Sequence, residues 1–364
     1  MRAYLILLVG TCFGMACSSQ PSAQHHPPDA AVHDASADSF REELEGRMSA
    51  AVAKGFSGTV LITAFGNRIL AKGYGLADRA KNVPNAVDTA YDFGSVLKEL
   101  TAAAIFKLAG EGKLAVTDSL ATFFPNVSAD KAKITVLQVV LHRAGFDEYH
   151  DTEGDFEPIT RLEARRRILA QPLKFEPGTQ KAYSNSGYTL LADIIETVSG
   201  RAYSDGIREQ LLEPAHMQQS GFYGDPLWKS IATAIGYGAE TFGGNDPAEW
   251  PYSWALVGNG GLVTTVTDLE RWLTATWGGG VLSPAAFDAY RTQYLSTGAY
   301  DYQGKVVYGA GGGGDYGLGG IVWDCPEANT RVILGTNTLD PERFQHEAFA
   351  RELIEWLLSH GPHP

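Results

Sequence analysis

The sequence predicts a mixed α/β chain of the α+β type: one antiparallel sheet built from both chain ends, flanked by helices, with a mostly helical lobe inserted between them. Three observations predict it. Strand-like apolar segments cluster at 58–75 and again at 305–337. Helical spacing dominates the stretch between them. A helical segment lies outside each strand cluster, at 40–54 and 344–360. Strands far apart in sequence pair most simply into one sheet covered by the first and last helices. The expected division is a sheet lobe at about 40–92 and 300–360, and a helical lobe at about 93–299.

The N-terminal segment has a different character. Residues 4–16 form an apolar run behind Met1-Arg2. At ~20 residues per membrane span the run is too short to cross a bilayer, but it suits a secretory signal peptide at 1–16. Gly14-Met15-Ala16-Cys17 resembles the lipobox of bacterial lipoproteins, which implies a lipidated Cys17. Residues 17–39 are rich in Ala, Asp, Ser, Pro and His and poor in large apolar side chains, so a disordered tether is expected. The neighbouring His25 and His26 read as solvated rather than metal-binding. The expected location is therefore the periplasmic side of a bacterial envelope, with the lipid as the membrane contact. Cys12 would leave with the signal, so Cys325 is left as the free thiol.

Composition narrows the function. The chain has 364 residues, 44% hydrophobic, which permits a large core. Its net charge of −13 repels phosphate backbones and argues against nucleic-acid binding. Three Cys are too few for a disulfide framework.

Within the folded part, Phe40, Leu44, Met48 and Ala51 mark a first helix. GTVLITAF (58–65), a Gly66-Asn67 turn and RILAKGYG (68–75) read as a hairpin. Val96–Leu108 is apolar nearly all round, as in a buried helix. Ser95 stands at its start and Lys98 one turn on, projecting from the same face. A capping serine would want Glu or Gln three residues later, not a cation opposing the helix dipole. A serine beside a desolvated amine is an activated nucleophile, because burial favours the neutral amine that can take a proton. The bare S-x-x-K pattern is weak, and Ser128–Lys131 also matches it. That second match reads as a solvated turn before a Thr135–Gln138 capping box.

Of 16 tyrosines only Tyr183 has Asn two residues on, at Asn185. The pair lies on a loop running into a helix, where a phenol can relay a proton or merely pack, and an asparagine can bind substrate or merely turn the chain. His142 reads as a hydrogen-bonded structural histidine rather than a ligand or base. Trp250, Tyr252 and Trp254 either border a cleft or pack. There is no G-x-S-x-G elbow and no H-E-x-x-H pair.

Over residues 56–340 the chain resembles the serine beta-lactamase and DD-peptidase-like superfamily, on the class C beta-lactamase and esterase side. The match runs through GFSGTVLI, YDFGSVLKELTAAAIF, LQVVLHRAGF, FEPGTQKAYSNSGYTLLADIIETVSG and GNGGLVTTVTDLERW. The resemblance implies that Ser95 is the acylated nucleophile, Lys98 its activator and Tyr183 the proton shuttle. Asn185 would contact substrate, and the Ser95 N–H would be one oxyanion donor. His142 and Gly145 match the family's L-L-x-H-x-S-G segment, but Ala144 does not carry its serine. The third motif departs further. Where the family has Lys-Thr-Gly or His-x-Gly, this chain reads Gly309-Ala310-Gly311-Gly312-Gly313. Gly311 registers at the cation and Gly313 at the motif glycine, with Gly311, Gly312 and Gly313 as substrate-binding backbone. Ser296-Thr297-Gly298 reads as a loop.

The expected function is an exported serine hydrolase, without metal or organic cofactor, acting on an ester, amide or peptide substrate. Cell-wall derived peptides fall in that class. The missing cation disfavours efficient beta-lactam hydrolysis. The alternative is a catalytically impaired envelope protein that binds or senses. Oligomeric state is not legible.

Overall fold

The computed structural model describes residues 35–149, 157–238, 245–314, 316–340 and 342–360. The signal peptide, Cys17, His25 and His26 lie outside the described residues. The chain divides into two compact units after Arg47, within the first helix. That helix, α1, spans Ala35–Ala53, so residues 35–39, read as tether, are helical. Alanine has the highest helix propensity, and the composition argument for disorder overlooked it.

The larger unit is built on a six-stranded antiparallel sheet. Its strands are β1 (Gly58–Ala64), β2 (Asn67–Tyr74), β8 (Ala299–Tyr302), β9 (Lys305–Gly313), β10 (Gly319–Cys325) and β11 (Thr330–Thr336), in the order β2-β1-β11-β10-β9-β8. The two chain ends meet at β1 and β11, where Val60 opposes Leu334. Short strands fill the interval: β3 (Leu76–Asp78) pairs β4 (Val83–Pro84), and β5 (Tyr91–Asp92) joins β6 (Gly221–Phe222) and β7 (Leu262–Thr264) in the order β5-β7-β6. The mostly helical lobe expected at 93–299 also holds β6 and β7, which are too short to show a period.

The helices after α1 are α2 (Leu97–Gly110), α3 (Leu120–Phe123), α4 (Val136–Val140), α5 (Arg161–Ala170), α6 (Asn185–Ser199), α7 (Tyr203–Ile207), α8 (Val266–Trp277), α9 (Pro284–Gln293) and α10 (His346–His360). α2 is buried around most of its circumference and packs on α6 and α9. α10 lies on β10 and β11. α8, from the middle of the chain, lies on β1 and β11. On β11, Arg331 reaches α8 through Thr274, and Thr336 reaches His346 of α10. These residues are an odd number apart, so the two helices cover opposite faces of the sheet.

The first hairpin turns one residue earlier than expected. Phe65 and Gly66 both have positive φ, 49° and 84°, and Ala64 pairs directly with Asn67. A two-residue turn with both φ positive suits the strand twist. The cost at Phe65 is met from outside: its N–H donates to Thr330 Oγ1 and that of Gly66 to the Asn329 carbonyl.

β9 brings the sheet to the start of α2. A Cβ at Gly312 would stand 2.2 Å from the Ser95 nitrogen and 2.6 Å from the Phe93 oxygen. Both are backbone atoms, so glycine is demanded there. At Gly311 a Cβ would meet nothing nearer than 3.7 Å. Gly312→Ala is therefore expected to lower the thermal midpoint by roughly 1.5–5 °C, the range for ~1–3 kcal/mol of overpacking in a chain of this size. Gly311→Ala should stay close to wild type in the same calorimetric scan; equal losses at both positions would contradict the close approach.

Candidate active site

Ser95 lies in a single 3-10 turn, Gly94–Val96, that runs into α2. The residue before it, Gly94, has φ +47°. Asp92, fully buried, shapes this turn: it accepts hydrogen bonds from the Gly94 N–H at 2.9 Å and the Tyr223 hydroxyl at 2.9 Å. The Tyr316 hydroxyl donates to it at 2.5 Å. Tyr316 follows β9, so one carboxylate ties the nucleophile's turn to the end of the glycine strand. The capping role that Ser95 could have played is not realised, since Val96 is the N-cap and takes no side-chain bond.

Lys98, one turn on, is 3% exposed. Its Nζ lies 3.0 Å from Ser95 Oγ, 2.8 Å from Asn185 Oδ1 and 2.5 Å from the Asn259 carbonyl oxygen. The Tyr183 hydroxyl also reaches Ser95, 2.5 Å from its Oγ. Lys98 Nζ also stands 4.8 Å from the centre of the Tyr183 ring. The structure thus brings together Ser95, Lys98, Tyr183 and Asn185 from two segments 88 residues apart. The competing match fails: Lys131 is buried, not solvated as expected, but its partner is Asp130 at 2.6 Å.

Asn185 opens α6, whose N-cap is Ser184, with Ser184 Oγ accepting from the Gly187 N–H. The Asn185 N–H donates to Glu148 Oε1 at 2.9 Å. A cleft of about 250 Å³ opens on Ser95, Lys98 and Tyr183; Glu99, His142, Lys181, Tyr294, Thr297 and Tyr308 also line it, with Gly309, Ala310 and Gly311 from β9. From Gly309 to Gly313 β9 pairs only with β10, because β8 ends its pairing at Tyr308. The approach to Ser95 is tightest at Gly312, one residue short of the motif glycine assigned from the resemblance. No side chain larger than Ala310 stands on this stretch, and Lys305 sits at the far end of the strand opposite Tyr302.

Sequence reasoning missed Asn259, Asp92, Glu148 and Lys181. Asn259 acts through its backbone carbonyl, which carries no residue signature. Its side chain is locked by Thr189 Oγ1 and the Ala255 carbonyl. Lys181, two residues before Tyr183, places a cation in the cleft from the wall opposite β9. Trp250 and Trp254 are buried packing residues, and Trp250 sits edge-on to Tyr223 and Tyr316. Ser296-Thr297-Gly298 is a 3-10 turn whose Thr297 and Gly298 border the cleft. Among the described residues no group of three His, Cys, Asp or Glu could hold a metal. Cys325 is buried and free.

A serine hydroxyl, a buried amine and a phenol on one cleft are the kinds of group an acyl-transfer site uses. The chain belongs to the beta-lactamase family, whose sequence model matches residues 40–355. Among curated relatives it is 29% identical over 289 residues to a putative penicillin-binding protein, PbpX, of Bacillus subtilis (strain 168), covering 79% of this chain and 67% of that one. It is 31% identical over 223 residues to protein flp of Staphylococcus aureus (strain COL). There it covers 59% of this chain and spans 44% of the relative's length. A solved octameric penicillin-binding protein homologue from Pyrococcus abyssi superposes with a TM-score of 0.72 at 24% identity, over 89% of this chain and 77% of that one. D-amino acid amidase from Ochrobactrum anthropi SV3 superposes with a TM-score of 0.74 at 19% identity, over 88% and 98%. These structures share the fold of this chain.

Glu99 lines both the cleft and a small neighbouring cavity, whose lining includes Trp272, Tyr290 and Asp324. Burial, and then the charge of Asp324, push the Glu99 carboxyl up to about 7. Burial likewise pushes Asp324 up to about 6, against the pull of Arg331. An acid raised on folding stabilises the fold while protonated, and the contribution is lost as pH rises from its unfolded value toward the folded one. For Glu99 that window runs from 4.5 to about 7. Glu99→Gln is expected to gain thermal stability over wild type across this window and to match it below. Melting curves that stay parallel from pH 4 to 8 would show the carboxyl to be solvated.

Proposed function

We propose that this protein is an exported serine hydrolase that works through an acyl-enzyme on Ser95, taking an ester, amide or peptide substrate. The observation that carries the reading is the Lys98 amine, buried and within hydrogen-bond reach of Ser95 Oγ, with the Tyr183 hydroxyl also within reach of that oxygen.

The three partners of Lys98 suit both of its protonation states. A neutral amine has two N–H donors and one lone pair. Asn185 Oδ1 and the Asn259 carbonyl take the two hydrogens, and the lone pair faces Ser95 Oγ. As an ammonium, the same group donates to all three. A proton can enter or leave without any side chain moving, which is what general base catalysis asks of a preorganised site. In acylation the Ser95 oxygen bonds to the substrate carbonyl carbon while its proton passes into the Lys98–Tyr183 pair. Tyr183 returns a proton to the departing oxygen or nitrogen as that bond breaks. In deacylation water adds to the acyl carbon, gives a proton to the same pair, and Ser95 leaves as its hydroxyl. The Ser95 N–H and the unpaired edge of β9 would hold the oxyanion.

The stretch Gly309–Gly313 offers backbone but no cation for a substrate carboxylate. This weighs against efficient beta-lactam hydrolysis and toward substrates that need no such contact there. A carboxylate that enters would meet Lys181 instead. The signal-like run at 1–16 and the lipobox-like Cys17 support export and a lipid anchor on the periplasmic side of a bacterial envelope.

A fluorophosphonate probe should add its mass to Ser95 in wild type and leave Ser95→Ala untouched. Lys98→Met should slow that labelling by ~10²–10⁴-fold, the usual worth of a general base. Wild type that stays unlabelled while binding a penicillin or muropeptide reversibly would favour the impaired binding protein. For the anchor, cells fed labelled palmitate should incorporate it into the full chain and not into Cys17→Ser.

A further inference from the structure

Tyr183 poses a positioning problem. Its side chain is 53% exposed, yet its hydroxyl must be held 2.5 Å from Ser95 Oγ. An exposed loop tyrosine has little packing of its own to fix it. We propose that His142 is the positioning residue that holds Tyr183 at Ser95, through a bracket on its two neighbouring amides and a ring contact. The proposal rests on the hydrolase reading above and assigns to the same site a residue that acts through Tyr183.

The bracket has two bonds. The Ala182 N–H donates to the His142 carbonyl at 3.0 Å. The Ser184 N–H donates to His142 Nδ1 at 3.2 Å. Tyr183 lies between those two amides, so its backbone is pinned on both sides by one residue. The imidazole itself stacks on the Tyr183 ring, with centroids 4.8 Å apart and planes at 29°. It also contacts buried Tyr188, 4.9 Å away, whose hydroxyl donates to the Val140 carbonyl. The brace therefore stands on the core.

The backbone at His142 is unusual in a way that serves this contact. Its φ is +56°, in the left-handed region, at the end of α4. Gly or Asn ordinarily takes that place after a helix. Nδ1 can accept a hydrogen bond only if the ring is neutral. Burial, with the charges of Lys98 and Lys181 nearby, pushes His142 down to about 3. The acceptor is thus kept at every pH where the serine would work.

The test is a double-mutant cycle on the purified full chain with 4-nitrophenyl acetate. His142→Gly removes ring and acceptor while suiting the left-handed backbone. It is expected to lower kcat by roughly tenfold to a hundredfold, the cost of a catalytic group misplaced by ~1 Å, with little change in KM. In a Tyr183→Phe background the same substitution should cost less than about threefold, since residues acting as one unit are non-additive. His142→Asn, which suits the backbone and restores an acceptor, should recover part of the loss. An equal loss in both backgrounds would mark His142 as general scaffold and overturn the proposal, as would full activity in His142→Gly. If Tyr183→Phe alone leaves kcat unchanged, the proton-relay reading falls first and takes the brace with it.

Discussion

A cation's worth of side chain at Lys98 is buried to 3% exposure, and the rest of the site is arranged around that constraint. A buried amine without acceptors is costly, so acceptors must converge on it. They come from three places: the turn that begins its own helix, the first residue of α6, and the loop before β7. Each is then fixed in turn. Asn259 is locked by Thr189 and Ala255, and the Asn185 amide by Glu148. The Ser95 hydroxyl is one of the groups that satisfy the amine, so on the proposed reading stability and chemistry share the same bonds.

A second constraint is the approach of β9 to the nucleophile's turn. Backbone meets backbone there, so Gly312 has no room for a side chain. Asp92 ties the same turn to Tyr316 beyond the strand. The strand buys proximity to Ser95 and leaves an edge unpaired by β8 from Gly309 onward. It gives up any charged group on that stretch. Lys181, which also lines the cleft, comes from the segment leading to Tyr183 instead.

Much of this was legible in the residues. The hairpin read at 58–75, the strand cluster read at 305–337 and the buried helix after Ser95 follow from apolar spacing, and each is present within a few residues. Ser95 and Lys98 stood out because a lysine in an apolar helix start has no structural excuse. Three readings erred for identifiable reasons. The turn at Phe65-Gly66 defied residue preference because Thr330 and Asn329 stabilise it from another strand. The helix from Ala35 was hidden by a tether-like composition. The register of the glycine strand is ambiguous in a run of near-identical residues, and contact with Ser95 marks Gly312 only in three dimensions.

The sequence by itself determined which elements form and which side chains are chemically out of place, because periodicity, capping and the cost of a buried charge are local properties. It could not determine that Tyr183, 88 residues from Ser95, points its hydroxyl at that oxygen. Nor could it show that a backbone carbonyl at Asn259 reaches the lysine, or that His142 stacks on Tyr183 and holds the amides on either side of it. Those arrangements arise from packing between distant segments, and a carbonyl or a left-handed φ leaves no mark in residue type. Tertiary structure alone decided them.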